Sequence, residues 1–185
     1  RKQFHHEALV WRQLRHPNVL PLLGINPDLF YPSFCLISPW MANGDVITYL
    51  KKNPVDDVYS ILSDIAAGIC YLHSQDPPIV HGDIRGANIL VHDDLRCCLA
   101  DFGLTVINSE SRAWTNATSS QKGAIRWLAP EYFFSDTSPK VPNTSRDMYA
   151  FGCTIFEARA YLFVSSFSHE NIFKISDPHQ KGTIP

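Results

Sequence analysis

The sequence lacks any apolar run long enough to cross a bilayer, and no segment has the charged, apolar and small-residue order of a signal peptide. No membrane span is therefore expected. It also lacks an excess of charge of one sign. The formal net charge is −2, which gives no reason to expect nucleic acid or an anionic membrane as a partner. No G-x-x-x-x-G-K-[ST] loop occurs, and this sets aside a P-loop nucleotide hydrolase. The five cysteines, Cys35, Cys70, Cys97, Cys98 and Cys153, show no C-x-x-C spacing and are odd in number. Neither a disulfide framework nor a zinc site fits that pattern. The adjacent Cys97 and Cys98 are expected to pack in a strand, and a reducing, cytoplasmic setting follows. The opening Arg1-Lys2-Gln3 carries no initiator methionine, so the chain is expected to be a fragment or to lack its natural beginning.

What is present suits a folded domain. The chain has 185 residues, 45% of them hydrophobic and 18% charged, enough apolar content to close a core around one domain. Phe4, Ala8, Trp11 and Leu14 fall on one helical stripe with Glu7 beside it. His16-Pro17 ends that helix, because the residue before proline avoids the helical region. Residues 19–23 and 34–38 are short apolar runs that predict strands, with a proline-bearing loop over 26–32 between them.

Asn43-Gly44-Asp45 predicts a turn into a short helix ending near Lys52. Asp56 or Asp57 is placed to cap a second helix that carries Ile61, Ile65, Ile69 and Leu72 and runs to about Ser74. Gln75-Asp76-Pro77-Pro78 stops it. Strands are predicted over 89–91 and 96–100. Residues 103–122 are rich in Ser, Thr and Asn without periodicity and predict a long loop, the kind that is usually functional. Thr144 or Ser145 caps a hydrophobic helix expected through Glu157, with a further short helix near residues 170–175. A helix and a few strands followed by a mainly helical body is an α+β plan.

Chemistry is carried by His81-Gly82-Asp83-Ile84-Arg85-Gly86-Ala87-Asn88, which follows an extended Pro-Ile-Val segment. Asp101-Phe102-Gly103 comes 13 residues after Asn88, and Ala129-Pro130-Glu131 lies further on. Each short motif alone is weak, but their order and spacing together are not a chance match. With these motifs the chain resembles a protein kinase, most similar to the tyrosine-kinase-like and related Ser/Thr kinases, over nearly its whole length.

The resemblance implies a two-lobe protein-kinase-like fold. Residues 1–40 would be a remnant of the small lobe, and residues 41–185 the hinge and a large lobe lacking its last helices. It also implies ATP and Mg²⁺ as cofactors and a protein substrate. Asp83 matches the residue that accepts the substrate hydroxyl proton, and Arg85 stands where a lysine contacts the transferred phosphate. Asn88 and Asp101 match the two magnesium ligands, both oxygen donors. Glu7 matches the helix glutamate that pairs with a nucleotide-contacting lysine, and the following Leu14-Arg15-His16-Pro17-Asn18-Val19 supports that assignment.

Ser38-Pro39-Trp40-Met41 resembles the adenine-binding hinge. Pro39 offers its carbonyl as acceptor and Met41 its N–H as donor. Asp147 matches the helix aspartate that holds the catalytic-loop backbone.

Three departures bear on activity. The glycine loop and strand lysine lie upstream of Arg1 in the family's order, Gly82 replaces an arginine that grips activation-loop phosphate, and Ala124 replaces a threonine. Two readings stay open: an active kinase, for which Ser/Thr specificity is favoured over Tyr, and a pseudokinase that keeps the fold as a binding or scaffold module.

Overall fold

The computed structural model describes residues 2–31, 33–53, 58–102, 106–107, 125–130 and 144–171. Helix α1 (Lys2–Gln13) buries Ala8 and Trp11 of the expected stripe, with Leu14 closing it just beyond the helix, while the Phe4 side chain lies outside the described residues. The Trp11 indole N–H donates to the Leu20 carbonyl, so the helix is fixed to the segment that follows it. Arg15 N–H donates to the Tyr71 hydroxyl at 2.9 Å, and His16 stacks on the same ring at 4.8 Å.

The strand prediction over 19–23 is corrected. This stretch is irregular, joined to the body by a single parallel bridge from Val19 to Leu99 and by Leu20 N–H on the Leu99 carbonyl at 2.9 Å. Val19, Leu20 and Leu22 are buried because the stretch runs into the core, which is why it reads as a strand in sequence. The expected loop over 26–32 is instead mostly strand β1 (Gly24–Phe30), antiparallel to β2 (Ser33–Ile37). Pro27 misled the reading. It sits where the register slips between Asn26 and Phe30, a place where no ladder N–H is needed. Asn26 Oδ1 takes up the N–H groups of Asp28 and Leu29 at 2.9 and 2.8 Å across the slip.

Helix α2 (Val46–Lys52) is capped by Asp45, whose Oδ1 accepts from Ile47 and Thr48 N–H at 3.0 and 2.9 Å. A cap of this kind is worth about 1 kcal/mol. Helix α3 (Tyr59–His73) buries Ile61, Ile65, Ile69 and Leu72 as its spacing requires. Val58 occupies its N-cap position without a side-chain bond, and Asp56 and Asp57 lie outside the described residues.

Strand β3 (Ile79–Val80), the 3₁₀ turn η1 (Gly86–Asn88), β4 (Ile89–Val91) and β5 (Cys97–Leu99) follow. β4 and β5 pair antiparallel, and β3 pairs with β6 (Val106–Ile107). That last pair places two residues of the expected 103–122 loop in a strand; the remainder lies outside the described residues.

Helix α4 (Ser145–Asn171) overruns its predicted end at Glu157 by several turns. The apolar pattern weakens after Arg159, but no proline or glycine follows Gly152 within the helix, and Ala158, Arg159, Ala160 and Leu162 are strong helix formers. The rest of the short helix expected near 170–175 lies outside the described residues. Among the described residues no helix is long and apolar enough to cross a membrane.

Candidate active site

The loop from His81 to Asn88 leaves β3 and is clamped at its start by one buried carboxylate. Asp147 in the first turn of α4 is 1% exposed. Its Oδ2 accepts from His81 N–H at 2.8 Å and its Oδ1 from Gly82 N–H at 2.9 Å. His73 Nε2 at the end of α3 donates to the same Oδ2 at 2.9 Å. The three donors satisfy a charge that would otherwise be costly to bury. Gly82 has a φ of +81°, a left-handed backbone for which glycine carries no steric penalty.

His81 is fully buried and holds the next step of the loop. Its Nδ1 receives Asp83 N–H at 3.3 Å, and its Nε2 meets the Ala100 carbonyl at 3.1 Å. A carbonyl must accept and an amide N–H must donate, so the ring is neutral with its proton on Nε2. Desolvation by burial accordingly holds the imidazole below its ordinary range, against the opposing pull of Asp147, Asp83 and Asp101.

Asp83 and Asn88 are brought into direct contact. Asn88 Nδ2 donates to Asp83 Oδ2 at 2.7 Å and to the Asp83 carbonyl at 2.9 Å. Arg85 Nε lies 3.7 Å from Asp83 Oδ1, an ion pair too long to be a hydrogen bond. That Nε is buried and has no hydrogen-bond partner among the described residues.

Asp101 is reached through the backbone. Ala100 N–H donates to the Asn88 carbonyl at 2.9 Å, tying the end of β5 to η1. Asp101 itself is exposed with a φ of +61°, a conformation uncommon for a residue with a Cβ and frequent at functional positions. Phe102 turns inward, fully buried between the rings of Trp11 at 5.3 Å and His81 at 5.0 Å.

The remaining sequence-predicted residues are placed as follows. Glu7 is in α1, and its side chain is outside the described set. Pro39 is half-buried, Trp40 is 88% exposed and Met41 is buried, its carbonyl accepting Gly44 N–H at 3.0 Å.

Two residues were missed in the sequence. His73 is read there only as the end of a helical stripe. Glu157 on α4 accepts the Gly86 N–H at 3.1 Å. Both partnerships join residues about 70 positions apart, and no local pattern announces them.

The donor set suits a hard cation. Nδ2 of Asn88 is spent on Asp83, so Oδ1 is the atom this side chain could offer a metal. No group of three or more His, Cys, Asp or Glu occurs among the described residues.

The five cysteines are free thiols. Burial pushes Cys97 up to about 12 and also raises Cys98, so this pair is inert packing as expected. A cavity of about 640 Å³ is lined by Trp127, Tyr149, Phe156, Glu157 and Tyr161 among others, but Asp83, Asn88 and Asp101 lie outside it.

Residues 1–176 match a family model described as protein tyrosine and serine/threonine kinase. The chain is 28% identical over 192 residues to the serine/threonine/tyrosine-protein kinase HT1 of Arabidopsis thaliana, covering 100% of this chain and 46% of that protein. It is 31% identical over 166 residues to rat receptor-interacting serine/threonine-protein kinase 3, covering 86% of this chain and 34% of the relative. It is 30% identical over 174 residues to the dual specificity protein kinase splA of Dictyostelium discoideum, covering 83% and 7% respectively. The chain thus spans less than half the length of these curated relatives.

Proposed function

Because the chain belongs to the protein tyrosine and serine/threonine kinase family, we propose that its protein transfers the γ-phosphate of ATP to hydroxyl groups of protein substrates, with Ser/Thr favoured over Tyr. The observation that carries this reading is the Asp83–Asn88 pair, bonded side chain to side chain at 2.7 Å on a loop whose start is fixed by Asp147.

Phosphoryl transfer asks a protein mainly for positioning and charge stabilisation. Asp83 Oδ2 is held by Asn88, which fixes the carboxylate plane and makes Oδ1 the atom that takes the substrate hydroxyl proton. Arg85 Nε is buried and pairs with Asp83 Oδ1 at 3.7 Å, but it makes no hydrogen bond among the described residues. A buried donor of that kind calls for an acceptor, and an oxygen of the transferred phosphate is the one proposed. Asn88 Oδ1 and the Asp101 carboxylate would hold Mg²⁺, which when bound neutralises phosphate oxygens. Glu7, Pro39 and Met41 are assigned to the nucleotide: Glu7 through a lysine partner, Pro39 by its carbonyl and Met41 by its N–H. A reducing, cytoplasmic setting is supported by the free thiols.

One observation favours a second reading, a pseudokinase acting as a binding module. Gly82, where the family carries an arginine, has its backbone N–H committed to Asp147 and no side chain to grip an activation-loop phosphate.

Turnover separates the two. In the full-length protein, Asp83→Asn is expected to leave nucleotide affinity within about twofold and to lower kcat by about 10²–10⁴. Asp101→Asn is expected to abolish magnesium-dependent turnover. Wild-type turnover in Asp83→Asn would overturn the catalytic assignment. Nucleotide binding without any phosphate transfer by the wild type would establish the second reading.

A further inference from the structure

Glu157 is half-buried on α4, ten residues beyond Asp147, or about three helical turns. Its Oε2 accepts the N–H of Gly86 at 3.1 Å. Gly86 opens the turn η1, between Arg85 and Asn88, and that turn has no side-chain cap of its own. The first N–H of a helical turn has no partner inside the turn and needs one from elsewhere. Here the partner comes from a different helix.

The surroundings are close-fitting. A Cβ added at Gly86 would stand 2.5 Å from Ile47 Cδ1 and 2.9 Å from Glu157 Oε2, so only glycine lets the turn approach α2 and α4 this closely. Desolvation pushes the Glu157 carboxyl up, while the Gly86 N–H, Arg85 and Lys51 pull it down.

We infer that Glu157 is a positioning residue: with Asp147 it lets one helix hold the catalytic loop at two points, at His81–Gly82 and at Gly86, and so sets the placement of Asn88 against Asp83. The chain of contacts is continuous. Glu157 fixes Gly86 N–H, the turn closes by Asn88 N–H on the Arg85 carbonyl at 2.9 Å, and Asn88 Nδ2 holds Asp83 Oδ2. Glu157 itself touches neither nucleotide nor substrate in this scheme. The inference rests on the phosphotransfer reading for its kinetic consequence, and on geometry alone for the tie itself.

The test uses the full-length protein and three variants. Glu157→Gln keeps an acceptor oxygen at the same reach, Glu157→Leu keeps the volume without the acceptor, and Glu157→Ala removes both. Glu157→Gln is expected to keep kcat within about twofold. Leu and Ala are expected to lower kcat by about 10–100-fold with the KM for ATP unchanged, the loss typical of misplacement near reacting atoms. Amide hydrogen exchange at Gly86 gives a readout independent of activity. Gly86 is expected to be protected in wild type and Glu157→Gln, and faster by at least about tenfold in whichever of the Leu and Ala variants folds.

An unprotected Gly86 amide in the wild type overturns the tie without any variant. Equal kcat in wild type and Glu157→Leu or Glu157→Ala overturns the positioning role. If the wild type transfers no phosphate, the phosphotransfer reading fails with its kinetic consequence, while Gly86 exchange still decides whether the tie exists.

Discussion

Replacing Asp147 by asparagine isolates the clamp on the catalytic loop. The change keeps volume and one oxygen but turns the other into an amide nitrogen. Oδ2 serves two donors, His81 N–H and His73 Nε2, and Oδ1 serves Gly82 N–H. Asparagine therefore keeps its oxygen on the Oδ2 side and points its NH₂ at Gly82 N–H. One buried donor is left facing a donor, a loss of about 1–3 kcal/mol. The two remaining bonds lose charge assistance, about 1 kcal/mol each. Against this, a carboxylate no longer has to be buried at 1% exposure, which offsets part of the loss. A net destabilisation of about 2–4 kcal/mol results, a large share of the roughly 5–15 kcal/mol that holds a domain together. Urea unfolding of wild-type and Asp147→Asn protein at fixed m-value measures it. Amide exchange should show Gly82 losing more protection than His81. A loss below about 0.5 kcal/mol with Gly82 still protected would refute the assignment of Asp147 as the anchor.

Two further outcomes follow from His81 and Gly82. Burial holds His81 below the ordinary imidazole value of 6.5, so below that pH the unfolded chain takes up a proton that the native state refuses. Stability is then complete above 6.5 and falls as pH drops toward the native value, by up to about 1.4 kcal/mol per unit. Urea midpoints should show this slope in wild type and its absence in His81→Gln, and parallel profiles would contradict it. In the segment 103–122, Thr105, Ser109, Ser111, Thr115, Thr118, Ser119 and Ser120 are the hydroxyl residues. Gly82 has no side chain to pair with a phosphate there, and Arg96 or Arg126 would need a different loop path to substitute, so changing all seven to alanine should leave kcat of the full-length protein within about threefold. A loss in that variant matched by phosphatase-treated wild type would refute the argument.

The helices were legible because each has one buried face. The spacing of Ile61, Ile65, Ile69 and Leu72 places α3 without further information, and Asp45 marks the start of α2 by the chemistry of its own side chain. The hairpin was not legible, since Pro27 looks like a loop residue until the slipped register beside it is known. The end of α4 was placed too early because the stripe fades while helix propensity continues. At the candidate site, Asp83, Asn88 and Asp101 lie inside short motifs and could be proposed in advance. Their supports could not. His73 and Glu157 act on backbone groups or on another side chain across the fold, and a contact of that range leaves no local spacing to read.

The cluster of tilted rings formed by Trp11, Phe102 and His81 gives the protein a built-in optical reporter. The Trp11 indole is 6% exposed, its N–H is engaged by the Leu20 carbonyl, and the Phe102 ring packs beside it with centroids 5.3 Å apart. Phe102 is the neighbour of Asp101 in the chain, so any swing of that backbone that withdraws the phenyl ring opens the indole to water. Its emission would then move to longer wavelength. Trp40, at 88% exposure, already emits from a wet environment and would hardly change. Trp114 and Trp127 emit as well, so a background with Trp40, Trp114 and Trp127 all changed to Phe would isolate the Trp11 signal within this chain. The position of the Asp101–Phe102 segment could then be followed in real time, without attaching a dye, as nucleotide is added.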